Sequence, residues 1–82
     1  MLERSIKVSP SFEASSAAFL VQTASKFRSH VSLVLAEKTA NAKSIMGIIS
    51  LDLKSDDIVK IIADGEDEQQ IVPELEKILG GQ

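Results

Sequence analysis

The 82-residue chain is predicted to fold as an α+β domain with the element order β-α-β-β-α-β-α. In several segments, apolar and polar residues alternate along the chain, and this period of two is typical of strands. In other segments, apolar residues recur every three or four positions, which is typical of helices that face a core. A short hairpin near the middle favours a mainly antiparallel sheet. We therefore expect four strands with three helices covering one face.

The first strand and the first helix are separated by a short break. Leu2, Ile6 and Val8 share one face of the strand. The segment 9–11, Ser-Pro-Ser, ends this strand because proline has no N–H for the strand ladder. A helix is then predicted over residues 14–27. Its apolar face consists of Ala17, Leu20, Val21, Ala24 and Phe27.

The middle of the chain contains two predicted strands and one short helix. Residues 31–35 form the second strand, and residues 39–42 form the third, after a weak turn at residues 36–38. A short apolar helix runs over residues 44–50. A polar connection over residues 51–57 follows it.

The last third of the chain contains one strand and one helix. Residues 58–63 form the clearest strand, and Asp67 is expected to cap the final helix. The buried face of this helix is predicted to consist of Ile71, Val72, Leu75, Ile78 and Leu79. Pro73 lies beyond the first turn, so we expect a kink there or a helix that restarts at this residue. The pair at 80–81, Gly-Gly, is a typical helix stop.

Composition favours a small soluble protein. The chain has room for one domain, expected over residues 1–82. It has no cysteine, which excludes disulfides, thiol nucleophiles and cysteine-based metal sites. A net charge of −3 argues against direct binding of nucleic acid. There is no membrane-length apolar run and no pattern of a signal peptide, so the expected location is the cytoplasm.

The most informative stretch is residues 41–51, Asn-Ala-Lys-Ser-Ile-Met-Gly-Ile-Ile-Ser-Leu. Ser44 stands at the predicted start of the short helix, where its hydroxyl can cap free backbone N–H groups. A phosphate on this hydroxyl would face the positive end of the helix dipole, and Lys43 could pair with it. Two interpretations follow: a structural cap alone, or a phosphorylation site.

The short helix is too apolar to be buried on every side, and an exposed apolar group often marks a partner surface. The residues predicted to bind a partner are Lys43, Ile45, Met46 and Ile49. Met46 is favoured because methionine adapts to different partners. The alternative is that two of the four residues Ile45, Met46, Ile48 and Ile49 face the core and the other two are scattered exposed residues.

Three local strings resemble the HPr family, the histidine-containing phosphocarrier proteins. Residues 21–27 (Val-Gln-Thr-Ala-Ser-Lys-Phe) are similar to the first helix of Gram-positive members. Residues 43–47 (Lys-Ser-Ile-Met-Gly) are similar to their regulatory serine segment, and residues 65–69 to the entry of their last helix. The resemblance implies an open-faced sandwich of four antiparallel strands and three helices. It also implies a role in passing phosphate from a phosphoenolpyruvate-dependent kinase to sugar-transport enzymes of the phosphotransferase system.

The chain departs from this family at the carrier histidine. The resemblance places the carrier just before the first helix, on about Glu13, and the arginine and proline that follow it on Ser15 and Ser16. The only histidine, His30, lies at the far end of that helix. An imidazole forms a labile phosphoramidate, and a guanidinium neutralises an incoming phosphoryl group. Since both groups are missing, we expect histidine phosphocarrier activity to be lost.

One branch of the family, the catabolite repression HPr-like proteins, also lacks the carrier histidine and keeps the serine. There, an HPr kinase/phosphorylase phosphorylates the serine, and the product is corepressor for the catabolite control protein, a DNA-binding repressor. The resemblance therefore implies a regulatory protein, not an enzyme, that is phosphorylated on Ser44 and needs no metal or cofactor. The branch keeps the arginine and the proline where this chain has Ser15 and Ser16, so repressor docking is less firmly expected than kinase recognition.

The sequence also allows other functions. Glu13 could carry phosphate as an acyl phosphate between phosphotransferase-system enzymes. Its permanent carboxylate could also mimic a phosphorylated carrier, or be an ordinary charge favoured by the helix dipole. The chain could be a non-phosphorylated structural or decoy protein that binds partners through the same residues. A small phosphatase is a further alternative, against which stand the absence of cysteine, the single remote histidine and the lack of a basic loop.

Overall fold

The computed structural model describes residues 1–80, which form four strands and three helices in the predicted order. The strands are β1 (Leu2–Lys7), β2 (His30–Leu35), β3 (Lys38–Asn41) and β4 (Ile58–Asp64). The helices are α1 (Ala14–Ser25), α2 (Ile45–Leu51) and α3 (Glu68–Gly80). The predicted fold class is thereby confirmed.

The four strands form one antiparallel sheet in the order β1-β4-β2-β3. The last strand in the chain, β4, lies between the first two. Ala63 of β4 is opposite Leu2 of β1 on one side and opposite Val31 of β2 on the other. The sheet therefore pairs the first strand with the last one, and its edges are β1 and β3.

One face of the sheet carries the core. Val59, Ile61 and Ala63 of β4 are fully buried, whereas Ile58 before them and Lys60 between the first two are exposed. The helices supply the other half of the core with Ala17, Leu20, Ala24, Ile48, Leu51, Ile71, Val72, Leu75 and Leu79. Burial of each large aliphatic side chain contributes about 1.5–3 kcal/mol. All three helices thus pack on the same side, and the other side of the sheet stays open.

Several boundaries differ by one or two residues from the predicted ones. Helix α1 ends at Ser25 rather than at residue 27, although Phe27 still packs against the core. The hairpin between β2 and β3 turns on Ala36 and Glu37, since Leu35 pairs with Lys38. Ala36 adopts a φ of 54°, which a non-glycine residue seldom does. This tight turn starts β3 one residue earlier than expected.

The prediction that α3 restarts at Pro73 is wrong. The helix runs without interruption from Glu68 to Gly80, with Pro73 on its exposed side. A proline in a helix interior costs about 3 kcal/mol. Burial of Ile71, Val72, Leu75 and Leu79 on the opposite side outweighs this cost. Gly80 is the last described residue of the helix, and Gly81 of the predicted stop lies outside the described residues.

In the part of the chain that the structure describes, no helix has both the length and the apolar character needed to cross a membrane.

Candidate functional site

Ser44 is the N-cap of α2, as the sequence predicted. Its backbone is extended (φ −112°, ψ 112°), and its Oγ accepts a hydrogen bond from the N–H of Gly47 at 3.2 Å. Its carbonyl oxygen accepts a bond from the N–H of Ile48 at 3.0 Å. The residue is partly exposed. The hydroxyl therefore caps the helix, and the residue is not fully buried.

The side chain of Lys43 is bound to the end of the neighbouring helix. Its Nζ donates to the carbonyl oxygen of Phe27 at 2.8 Å, just beyond the end of α1. A cation is favoured at this end of a helix by the dipole. The backbone N–H of Lys43 also donates to Oδ1 of Asn41 at 2.8 Å. Pairing of Lys43 with a phosphate on Ser44 stays a prediction, and the ammonium group would first have to leave Phe27.

Three side chains of α2 form an exposed group that we call the apolar patch: Ile45, Met46 and Ile49. Their exposed fractions are 38%, 69% and 55%. The sequence left open which of the four apolar residues Ile45, Met46, Ile48 and Ile49 face the core. Only Ile48 is buried, with 2% of its surface exposed. The alternative that two of them face the core is wrong, because α2 contacts the core along a narrow stripe. Binding of a partner to the patch stays a prediction.

Phe19 is an exposed apolar residue that the sequence interpretation missed. It lies on α1 and is 56% exposed, whereas Ala17, Leu20 and Ala24 of the same helix are buried. Its position in the sequence could have revealed its exposure, because Phe19 falls outside the three- and four-residue spacing of the buried positions. The surface of α1 therefore adds a large aromatic side chain to the side of the molecule that faces away from the sheet.

The start of α1 carries a carboxylate where the family resemblance places an imidazole. Glu13 is the N-cap residue, with extended backbone angles (φ −140°, ψ −171°), and it is exposed. Its N–H donates to Oγ of Ser16 at 3.3 Å. Ser15 is exposed, and α1 from Ala14 to Ser25 contains no charged residue. No arginine or lysine of this helix can therefore neutralise a phosphoryl group at Glu13.

His30 lies far from this helix start. It is the exposed first residue of β2 and is opposite Asp64 of β4. The structure therefore places it at the start of a strand and away from Glu13. Within residues 1–80, no three side chains of the metal-ligating types gather where they could hold an ion.

The start of α3 differs from the prediction, because the carboxylate of Asp67 binds the loop between α1 and β2. It accepts hydrogen bonds from the Ser29 hydroxyl, from the Arg28 N–H at 2.8 Å and from the Ser29 N–H at 2.9 Å. The Ser29 hydroxyl, followed by the Arg28 N–H, lowers the pKa of Asp67 below its ordinary value of 3.8, and partial burial opposes this. Asp67 therefore has a structural role.

Comparison with known proteins agrees with this geometry. The model of the family described as "PTS HPr component phosphorylation site" matches residues 3–80. The chain belongs to the HPr family. It is a family of phosphocarriers of the phosphotransferase system, and the element order and antiparallel sheet of this chain are those of its solved structures.

Individual members of the HPr family are similar over most of their length. The HPr-like protein Crh of Bacillus subtilis (strain 168) is 41% identical over 70 residues, which cover 85% of this chain and 82% of that protein. The crystal structure of HPr-C-His from Thermoanaerobacter tengcongensis has a TM-score of 0.90 at 40% identity, covering 96% and 91% of the two chains. The crystal structure of Bacillus subtilis Crh, a dimer with a swapped domain, has a TM-score of 0.76 at 40% identity, covering 90% and 83%.

Proposed function

We propose that this HPr-family protein is a regulatory protein that acts through reversible phosphorylation of Ser44, and that it has lost histidine phosphocarrier activity. It works as a single domain over residues 1–82 in the cytoplasm, and it is not an enzyme. One observation carries the proposal. The chain keeps a partly exposed serine at the start of α2 within the Lys-Ser-Ile-Met-Gly string, while the residue before α1 is Glu13.

The surroundings of Ser44 support a signal based on charge. A phosphate adds about −1.5 to −2 charges at neutral pH. Its oxygens can accept from the N–H of Gly47, which now donates to the hydroxyl. Helix α2 itself contains no charged residue. Phosphorylation would therefore convert an uncharged apolar surface into one with an anion at its border, which a partner can distinguish.

The lost carrier chemistry is supported by the residues at the start of α1. A carboxylate could form an acyl phosphate only if the approaching negative charges were compensated. Glu13 has Ser15 and Ser16 where the family has an arginine and a proline, and α1 offers no cation. Transfer of phosphate from the phosphotransferase-system kinase to Glu13 is therefore disfavoured by electrostatics.

The partners follow from the similarity to Crh. We propose an HPr kinase/phosphorylase that acts on Ser44, and a DNA-binding catabolite control repressor that binds the phosphorylated form. Ile45, Met46 and Ile49 would provide the apolar contact, and the phosphate would provide the charged one. Lys43 would contribute only if it released Phe27.

The first experiment tests Ser44 itself. Incubation with an HPr kinase/phosphorylase and ATP is expected to add one phosphate to the wild-type protein, measured by intact mass. Ser44→Ala is expected to add none, and the matched control Ser50→Ala, an exposed serine on the same helix, is expected to react like wild type. Loss of the cap costs about 1 kcal/mol, so circular dichroism should confirm that Ser44→Ala is folded. Equal labelling of Ser44→Ala, or no labelling of wild type, would contradict the proposal.

The second experiment tests the apolar patch. Binding of the phosphorylated protein to a catabolite control repressor is measured by calorimetry for Ile49→Ala and for Ile58→Ala. The two isoleucines are 55% and 56% exposed, but Ile58 lies on the open face of the sheet. We expect Ile49→Ala to weaken binding by about 1–2 kcal/mol and Ile58→Ala to have no effect. Equal losses, or no loss in either variant, would exclude the patch as the contact.

A further inference from the structure

A cleft lies between the start of α1 and the end of α2, next to the apolar patch. Its volume is about 170 Å³. Its walls are apolar and consist of Phe12, Ala14, Ala17, Ile48, Ile49 and Leu53. Ile49 belongs both to this cleft and to the patch. The cleft is therefore an inward extension of the apolar surface of α2.

Two carboxylates stand at the cleft, Glu13 on one side and Asp52 on the other. Both residues are exposed. Among the residues that line the cleft, only these two are charged. Lys54 lies 3.4 Å from Asp52, but both side chains of this pair are about 70% exposed, and such a pair is weak. A positively charged group that enters the cleft can therefore compete with Lys54.

The size of the cleft limits what can enter it. Sites for metabolites and cofactors usually enclose about 300–1,000 Å³. A cleft of about 170 Å³ is too small for such a molecule but can accept one long side chain. Lysine and arginine have the matching chemistry, because their alkyl stems pack on apolar walls while their charged ends stay near water and carboxylates.

The position of the Asp52 carboxylate follows from the way α2 ends. Asp52 ends α2 in the left-handed conformation, with a φ of 52°. Glycine is the residue that adopts this conformation without steric cost at the end of a helix. Aspartate tolerates it better than most other residues, and here it places a carboxylate at the cleft.

We propose that this cleft binds a lysine or arginine side chain of a protein partner. The alkyl stem packs on the exposed apolar walls at Ala14 and Ile49, and the charged end is held near Glu13 and Asp52. A basic group is thus recognised beside the place where the family resemblance locates a phosphate carrier. The proposal does not depend on phosphorylation of Ser44, since the cleft is formed by other residues.

The test uses small probes with the same shape and different charge. Amide NMR spectra of the protein are recorded during titration with n-butylguanidinium, with the uncharged n-butylurea and with the anion n-pentanoate. We expect n-butylguanidinium to shift the signals of residues 12–17 and 48–54 and to bind about three- to tenfold more tightly than n-butylurea at low salt. Pentanoate should bind most weakly.

Two double variants each remove two negative charges, one pair at the cleft and the other pair elsewhere on the surface. The double variant Glu13→Gln with Asp52→Asn should abolish the preference for n-butylguanidinium. The control, Glu37→Gln with Asp56→Asn, removes two exposed acids elsewhere and includes another left-handed aspartate, with a φ of 74°. It should keep the preference.

Four outcomes of the probe titrations would overturn the proposal. They are equal binding of the three probes, tighter binding of pentanoate, shifts outside the cleft, and a preference that survives the double variant. If the cleft signals move with protein concentration alone, the occupant is a second copy of this chain, and the proposal is again wrong. Ser44→Ala should leave the titration unchanged, so failure of the cleft and failure of the Ser44 proposal can be told apart.

Discussion

The starts of α1 and α2 are built alike at the backbone but differ in chemistry. Glu13 and Ser44 are both N-cap residues with extended angles before a helix that carries no charge. At α2, the hydroxyl of Ser44 itself accepts the N–H of Gly47. At α1, the hydroxyl that accepts a hydrogen bond is that of Ser16, and the carboxylate of Glu13 is exposed.

This difference is the basis of our proposal that phosphate is carried at α2 and not at α1. A helix dipole and the N–H groups of a first turn are present at both sites, and both features favour an anion. At the N-cap position itself, α2 has a neutral hydroxyl, whereas α1 has the carboxylate of Glu13. Under our proposal, the side chain at the N-cap decides which of the two helix starts carries a signal.

The largest expected effect is the return of phosphocarrier activity at α1. The triple variant Glu13→His, Ser15→Arg and Ser16→Pro should accept phosphate from phosphoenolpyruvate through the phosphotransferase-system kinase. It restores the neutral nucleophile and the guanidinium, and proline is tolerated in the first turn of a helix. Phosphorylation is measured by mass spectrometry, and we expect it for the variant but not for wild type. Labelling of the wild type at Glu13 would instead identify an active acyl-phosphate carrier.

The next largest effect is the difference in stability between a substitution on the buried side of α2 and one on its exposed side. Ile48→Ala should lower the free energy of unfolding by about 2–5 kcal/mol, because it leaves a cavity in the core. Met46→Ala on the same helix should change it by no more than about 0.5 kcal/mol. Urea unfolding measures both. A large loss for Met46→Ala would mean that this residue serves the fold and is not free for a partner.

At the start of α3, the side chain of Asp67 has a structural role, because it binds the loop between α1 and β2. The pKa of Asp67 is lowered on folding, first by the Ser29 hydroxyl. The unfolded chain therefore binds a proton at a higher pH than the folded protein. The stabilisation by Asp67 is complete above its ordinary pKa of 3.8 and is lost as the pH falls through the lower folded value.

Unfolding midpoints in urea, measured from pH 7 down into the acid range, test this role of Asp67. Asp67→Asn should be less stable than wild type at neutral pH and should lose less stability on acidification. Ser29→Ala should also show a smaller loss, because it removes the main cause of the pKa shift. Glu68, whose pKa is lowered by the Gly65 N–H, keeps part of the pH dependence in every variant. Parallel curves for wild type and Asp67→Asn would contradict this assignment.

The smallest expected effect concerns the space beside Ser44. Gly47→Ala should raise the free energy of unfolding by about 0.5–1 kcal/mol, since alanine is the better helix former. The added Cβ would lie 3.4 Å from Oγ of Ser44, which is ordinary contact for the hydroxyl but crowds a phosphate. A more stable protein that is phosphorylated more slowly is the expected result in thermal unfolding and kinase assays. A less stable one would show that the space around Ser44 is already full.

Much of the fold could be predicted because it depends on local patterns. The alternation in residues 58–63 and the spacing of Leu20 and Ala24 report directly which side of each element is buried. The cap at Ser44 was also predictable, since a hydroxyl followed by an apolar run is a local signal.

The features that could not be predicted depend on residues far apart in the chain. Asp67 looked like an ordinary cap, but its partners are 38 and 39 residues earlier in the sequence. Lys43 looked free to bind a phosphate, but its ammonium reaches Phe27, 16 residues away. No local pattern contains such contacts. Pro73 was misjudged for the same reason, because tertiary burial of the opposite helix face overrides local propensity.

The central place of β4 has a consequence for how the protein is made. A nascent chain that ends before residue 58 contains β1, β2 and β3, but only the hairpin of β2 and β3 can form. A lone hairpin is at best marginally stable in water. The sheet therefore cannot close until β4 has been synthesised and is free to pair, and we then expect the domain to fold in a single cooperative step.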